Sequence, residues 1–118
     1  MLKIKMARRA VVVFAVATTL AGVVPAQAAV TSHISTAFSG SFHGKITSAS
    51  AHCVAGRTVK LFRHTASGDQ LVGTTSSNSH GSWKISLMQA RGAYFAKTPA
   101  QTEHGTACGG AKSNTVHV

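Results

Sequence analysis

Apolar and polar residues alternate with a period of two over most of the chain beyond residue 36. Strands that bury one face show this pattern, because successive side chains of a strand point to opposite sides. No segment beyond residue 28 has the spacing of an amphipathic helix. The alternating segments are "AFSGSFHGKI" (37–46), "RTVKLFRH" (57–64), "QLVGTTS" (70–76), "SWKISLM" (82–88), "AYFAKT" (93–98) and "NTVHV" (114–118).

The apolar sides of these segments predict the core, in which Trp83 and Tyr94 are the large aromatic residues. The opposite sides of two segments carry a mixture of cations and aromatic rings, with Lys60, Phe62 and His64 in one segment and Phe95 and Lys97 in the other. The residues predicted to face the core are Phe38, Gly40, Phe42, Gly44, Ile46, Val59, Leu61, Trp83, Ile85, Leu87, Tyr94, Ala96, Val116 and Val118.

Turn residues separate the predicted strands. The segments "ASGD" (66–69) and "NSHG" (78–81) each supply a glycine where the backbone needs a positive φ, and "ARG" (90–92) turns the chain into the strand of Tyr94. Pro99 ends the strand before it, because proline cannot donate a ladder hydrogen bond, and "EHGTACGGAKS" (103–113) is interpreted as a loop. Strands with this turn spacing predict an all-β chain, a single antiparallel β-sandwich of about seven strands.

The N-terminus has the three-part layout of a secretory signal peptide. Basic residues in "MLKIKMARRA" precede the apolar stretch "VVVFAVATTLAGVV", and small residues follow in "AQA". We expect a signal helix in residues 1–28, cleaved after Ala28, or alternatively after Ala26, and a mature domain of residues 29–118. An uncleaved membrane anchor is the competing interpretation, although the apolar stretch is short for a membrane span.

Two cysteines, Cys53 and Cys108, lie in the predicted mature domain. In an exported chain two cysteines most simply form one disulfide, here closing a loop of about 55 residues. A two-thiolate metal site and a nucleophilic cysteine are the alternatives, but neither has partners at a suitable spacing in the sequence.

Several motifs occur in an order that resembles the small carboxypeptidase regulatory-like (transthyretin-like) β-sandwich domains of exported bacterial proteins. The resemblance extends from about Phe38 to Val118 and implies an Ig-like sandwich with a supporting, binding or linking role and no shared catalytic residues. The hydroxyisourate-hydrolysing relatives of transthyretin end in Tyr-Arg-Gly-Ser, whereas this chain ends in "SNTVHV". The motifs are Cys53, Gly56-Arg57-x-Val59-x-Leu61-x-Arg63, Val72-Gly73-x-Thr75, Asn78-x-x-Gly81-x-Trp83, Gly92-x-Tyr94-Phe95-Ala96 and Cys108.

The composition limits the chemistry. The predicted mature domain keeps eight Lys and Arg against Asp69 and Glu103, a formal charge of +6, and only these two carboxylates are present for acid–base catalysis. No Gly-x-Ser-x-Gly elbow marks a nucleophilic serine. The seven histidines favour metal binding as the alternative function, but no pair has the spacing of a strand or helical chelate. They are His33, His43, His52, His64, His80, His104 and His117.

The basic excess favours anionic partners outside the membrane, namely cell-wall polymers, lipid headgroups or surface polysaccharides, or a surface protein. Nucleic acid is disfavoured, because the cations are scattered singly without a basic stripe or an aromatic nucleic-acid motif. Two exposed phenylalanines among cations would form a binding face of Lys60, Phe62, His64, Phe95 and Lys97 if their strands are neighbours. We therefore expect a secreted, monomeric, non-catalytic binding or structural protein that needs no cofactor and has no membrane span after signal removal.

Overall fold

The computed structural model describes residues 28–118, so the predicted signal peptide lies outside the described residues except for Ala28. The described chain is all-β, apart from a 3₁₀ helix at Ala51–Cys53. None of its helical segments has the length and hydrophobicity that a membrane crossing requires. The strands are β1 (Ser32–Ile34), β2 (Ala37–Phe38), β3 (Phe42–Ser48), β4 (Thr58–Thr65), β5 (Gly68–Ser76), β6 (Ser82–Ile85), β7 (Ala93–Thr98), β8 (Gln101–Glu103), β9 (Thr106–Cys108), β10 (Ala111–Lys112) and β11 (Val116–His117).

These strands form three sheets, in which every pair of named strands is antiparallel. The first sheet has the order β1-β3-β2, with β6 also paired to β3. The second has the order β10-β7-β4-β5, with β11 also paired to β7, and the third is the β8-β9 hairpin. The prediction of an all-β chain with antiparallel strands is therefore confirmed.

The described residues form eleven strands, more than the expected seven. β1 lies before the first segment whose alternation predicted a strand, and two local features account for other differences. The 37–46 segment is not one strand, because a turn around Gly40, whose φ is +79°, separates β2 from β3. The 103–113 segment is not a loop, because His104 and Gly105 adopt positive φ angles and close the β8-β9 hairpin.

One hydrophobic core is built from residues of the two larger sheets. Trp83 and Tyr94 are each 3% exposed within it, and the ring centroids of Phe42 and Tyr94 lie 4.6 Å apart across the two sheets. Burying a side chain of this size contributes about 1.5–3 kcal/mol. The first sheet contributes the buried core residues Ile34, Phe42, Ile46, Trp83 and Ile85. The second sheet contributes Val59, Leu61, Tyr94 and Ala96.

The predicted disulfide is confirmed. Cys53 and Cys108 are bonded, with their Cα atoms 5.5 Å apart, and both are buried. The bond joins the end of the 3₁₀ helix to the end of β9. It thereby links two segments that belong to neither of the larger sheets.

Arg57 is fully buried next to this disulfide and connects five groups. Its guanidinium donates to the carbonyls of Cys53, Pro99 and Gly109 and to the side chains of Ser32 and Gln101, at 2.9–3.2 Å. These bonds use the five N–H donors of an arginine. Burial lowers the pKa of Arg57, and the Glu103 carboxylate partly opposes this change. Arginine remains charged in proteins, so the hydrogen bonds are charge-assisted.

Gly44 permits a close approach between β3 and the segment after β1. A Cβ atom at this position would overlap the carbonyl oxygen of Ser35 and lie 2.9 Å from Nε1 of Trp83. The carbonyl oxygen of Ser35 belongs to the backbone, so it cannot move aside as a flexible side chain would.

Replacing Gly44 with alanine is therefore expected to lower the free energy of unfolding by about 3 kcal/mol, the upper part of the range for overpacking. Urea denaturation followed by circular dichroism measures the loss. Gly40→Ala is the control, because Gly40 has a positive φ but open space around it, and about 1 kcal/mol of backbone strain is expected there. Equal losses in the two variants would contradict the close approach at Gly44.

Candidate functional site

The five residues of the predicted binding face lie on one side of the second sheet. β4 and β7 are neighbours, and Lys60 pairs with Lys97, Phe62 with Phe95, and His64 with Ala93. Residues directly opposite each other on paired strands share a face. The structure thus brings the five side chains together on the side away from the core.

The two phenylalanines of this face are less exposed than expected. Their rings are stacked, with centroids 5.5 Å apart and planes 17° apart, and Phe95 is only 3% exposed, while Phe62 is half-buried. Lys97 Nζ lies 5.4 Å from the ring centroid of Phe62 and 5.8 Å from that of Phe95. The two rings therefore lie beneath the ammonium group of Lys97, within the range of cation–π attraction.

Lys112 is a further member of the face that the sequence did not single out. It lies on β10, which pairs with β7 at the edge of the sheet, and its Nζ is 4.4 Å from the ring centroid of Phe95. This contact accounts for part of the burial of Phe95. The sequence carried no signal for it, since "AKS" follows two glycines in a segment interpreted as a loop. We call Lys60, Phe62, His64, Phe95, Lys97 and Lys112 the basic face.

The lysines of the basic face have no carboxylate partners, although its histidine has one. The chain has two acidic side chains, and Asp69 pairs with His64, with 2.8 Å between Asp69 Oδ1 and His64 Nδ1. Glu103 lies instead on β8, where it accepts a hydrogen bond from Gln101 at 3.4 Å. Within residues 28–118, none of the three lysines has a carboxylate within salt-bridge distance. The lysines are thus free to bind an external anion.

Two grooves run along the basic face, on either side of Lys112. One has a volume of about 450 Å³ and is lined by Lys60, Phe62, Lys97, Pro99 and Lys112, among others. The other, of about 430 Å³, is lined by residues that include His64, Asp69, Phe95, Lys112 and His117. Both are open grooves with ammonium groups at the rim and carbon atoms beneath. Such a surface can bind an anion whose uncharged parts are apolar.

The histidines do not converge on a metal site in the described part of the chain. No group of three or more His, Cys, Asp or Glu side chains in residues 28–118 is arranged to hold a metal ion. One pair comes together, with the ring centroids of His52 and His104 5.1 Å apart near the disulfide. Both cysteines are in that disulfide, so neither supplies a thiolate ligand. The thiolate alternatives from the sequence are therefore wrong.

The motif order that resembles carboxypeptidase regulatory-like domains is located on the described strands. Trp83 begins the inward side of β6, Gly81 has a φ of +83° in the preceding turn, and Tyr94 lies on β7. Val59 and Leu61 are buried on β4. No protein-family model, curated protein or solved structure matches this chain. The resemblance accordingly stays a prediction from the motifs.

Proposed function

We propose that the protein is a non-catalytic, exported β-sandwich that binds anionic polymers of the bacterial surface through the basic face. The observation that carries this proposal is the group of three lysines without carboxylate partners, of which Lys97 and Lys112 lie over two stacked phenylalanine rings. The phenylalanines and the sheet hold the lysines in place, so less side-chain entropy is lost when an anion binds.

Two further observations support the compartment and the fold of this proposal. A buried disulfide is typical of proteins that leave the reducing cytosol, in agreement with the signal peptide predicted for residues 1–28. Inward residues of two antiparallel sheets share one core, as in a carboxypeptidase regulatory-like sandwich. We propose that the domain acts as a monomer beside the cell wall or in the medium.

Neutralising the lysines of the basic face is expected to release the protein from the envelope. A variant with Lys60, Lys97 and Lys112 each replaced by glutamine should bind protein-free bacterial cell walls about tenfold more weakly than the wild type, because it loses its concentrated positive potential. Co-sedimentation at several salt concentrations measures the affinity. The wild type should also dissociate at higher salt than the variant.

The control carries the same net charge. Lys45 and Lys84 are exposed on the first sheet, and Arg91 is exposed before β7. Replacing these three with glutamine should weaken binding by no more than about threefold, because long-range attraction falls while the basic face is intact. If both triple variants lose affinity equally, binding depends only on net charge and the proposed face is wrong.

A further inference from the structure

The three lysines of the basic face occupy one row that runs across the strands. Lys112 is the direct cross-strand partner of Lys97, and Lys97 is the direct partner of Lys60. Neighbouring strands lie about 4.8 Å apart, so the row sets three positive charges along about 10 Å. Like charges directly opposite each other destabilise a sheet. The row is therefore a cost to the fold that a bound polyanion would remove.

A second row, parallel to the first, is apolar. Phe95 pairs with Phe62, and Phe62 pairs with Leu71 on β5. The register between β4 and β5 shifts between Leu61 and Phe62, and this irregularity makes Leu71 the partner of Phe62. Leu71 is 52% exposed. Because the two rows are two residues apart along each strand, they are separated by about 7 Å.

The groove beside the two rows suits a polymer whose anionic groups are regularly spaced and joined by short carbon linkers. The 450 Å³ groove has Lys60, Lys97 and Lys112 above and Phe62, Pro99 and Ala111 as its apolar lining. An extended chain across the strands would set successive anions near successive lysines. Its carbon atoms would then face the groove and the apolar row.

We propose that the ligand is a linear phosphodiester polymer of short polyol units, bound across β10, β7 and β4. This inference rests on the proposed function and specifies its ligand. The row sets three ammonium groups along about 10 Å, and an ammonium group binds phosphate as a point charge. A glycan with one carboxylate per pair of sugars would bring fewer anions to the row. A bilayer fits poorly, because Phe95 is buried rather than protruding.

Moving one lysine tests whether the row itself matters. Thr74 is exposed and is the direct partner of Lys60, so K112Q/T74K shifts the row by one strand and keeps three adjacent lysines. Thr47 is exposed on β3 of the first sheet, so K112Q/T47K keeps the net charge but leaves only two lysines in the row.

The probe is synthetic poly(glycerol phosphate), with binding measured by titration calorimetry at fixed salt. The row-shifted variant should bind within about threefold of the wild type, and the variant with the lysine moved to β3 about tenfold more weakly, because a row is required rather than a total charge. Poly-glutamate with the same number of charges is the comparison polymer, and a row that selects the phosphodiester should bind it about tenfold more weakly.

Three other outcomes of these binding measurements would overturn the inference. Equal affinities of the two double variants would show that the row is irrelevant, and equal affinity for poly-glutamate would show that the phosphate chemistry is wrong. Tighter binding to phosphatidylglycerol vesicles than to the polymer would assign the face to a membrane. All of these leave the cell-wall result of the triple lysine variant standing, so a failure of this inference is distinguishable from a failure of the proposed function.

Discussion

Breaking the Cys53–Cys108 bond should lower the free energy of unfolding by about 4 kcal/mol. The bond joins residues 55 positions apart, and a cross-link of that length removes about this much conformational entropy from the unfolded chain. A loss of this size is a large part of the net stability of a domain of about 90 residues. C53A/C108A, measured by urea denaturation with circular dichroism, is the direct test.

The reduced wild-type protein separates the cross-link from the packing of the sulfur atoms. Both cysteines are buried, so alanine also removes some apolar contact, whereas reduction leaves the sulfur atoms in place. We expect the reduced protein to lose most of the 4 kcal/mol and to show a steeper denaturant dependence, because an unfolded chain without the cross-link exposes more surface. A reduced protein within about 1 kcal/mol of the oxidised one would contradict this account.

Replacing Arg57 with methionine should be about as damaging, lowering the free energy of unfolding by about 4 kcal/mol. Methionine retains much of the apolar stem but leaves the carbonyls of Cys53, Pro99 and Gly109 without their donor. Buried acceptors without partners carry a desolvation cost of about 1–3 kcal/mol each. The same urea denaturation, with the disulfide kept oxidised, measures the effect.

Two further variants separate the charge of Arg57 from its geometry. Arg57→Lys keeps a cation but offers three donors from a single nitrogen, and we expect it to recover less than half of the loss. Arg91→Met removes an exposed arginine and should change the free energy of unfolding by no more than about 0.5 kcal/mol. Full stability in Arg57→Lys would show that charge alone, and not the fork of donors, holds these segments.

Alternation along the sequence predicted most of the strands that form the core, but not β1 with its buried Ile34, and Val118, which was predicted to face the core, is 42% exposed. Val59 and Leu61 are buried and Lys60 is not, because each strand lies with one face against the core. The same alternation places Arg57 on the inward side with Val59 and Leu61, in agreement with its burial. A cation on an apolar side needs internal hydrogen-bond acceptors.

The membership of the basic face could be predicted only in part. Two predicted strands carried its first five residues, and their mutual register brought these together. Lys112 joins the basic face, and Leu71 becomes the cross-strand neighbour of Phe62, through features that period-two alternation does not contain. These are the two-residue strand β10 and the register shift beside Phe62, each of which depends on how separate parts of the chain pair.

The position of the disulfide has a consequence for what proteolysis does to the chain. The turn at Met88 and Gln89 lies inside the loop closed by Cys53 and Cys108, and Met88 is 94% exposed there. A protease that cut this turn would produce two fragments still joined covalently, with Lys60 on one and Lys97 on the other. Since β4 and β7 would also remain paired by their ladder, the nicked protein would keep its basic face, and the cut would become visible on a gel only after reduction.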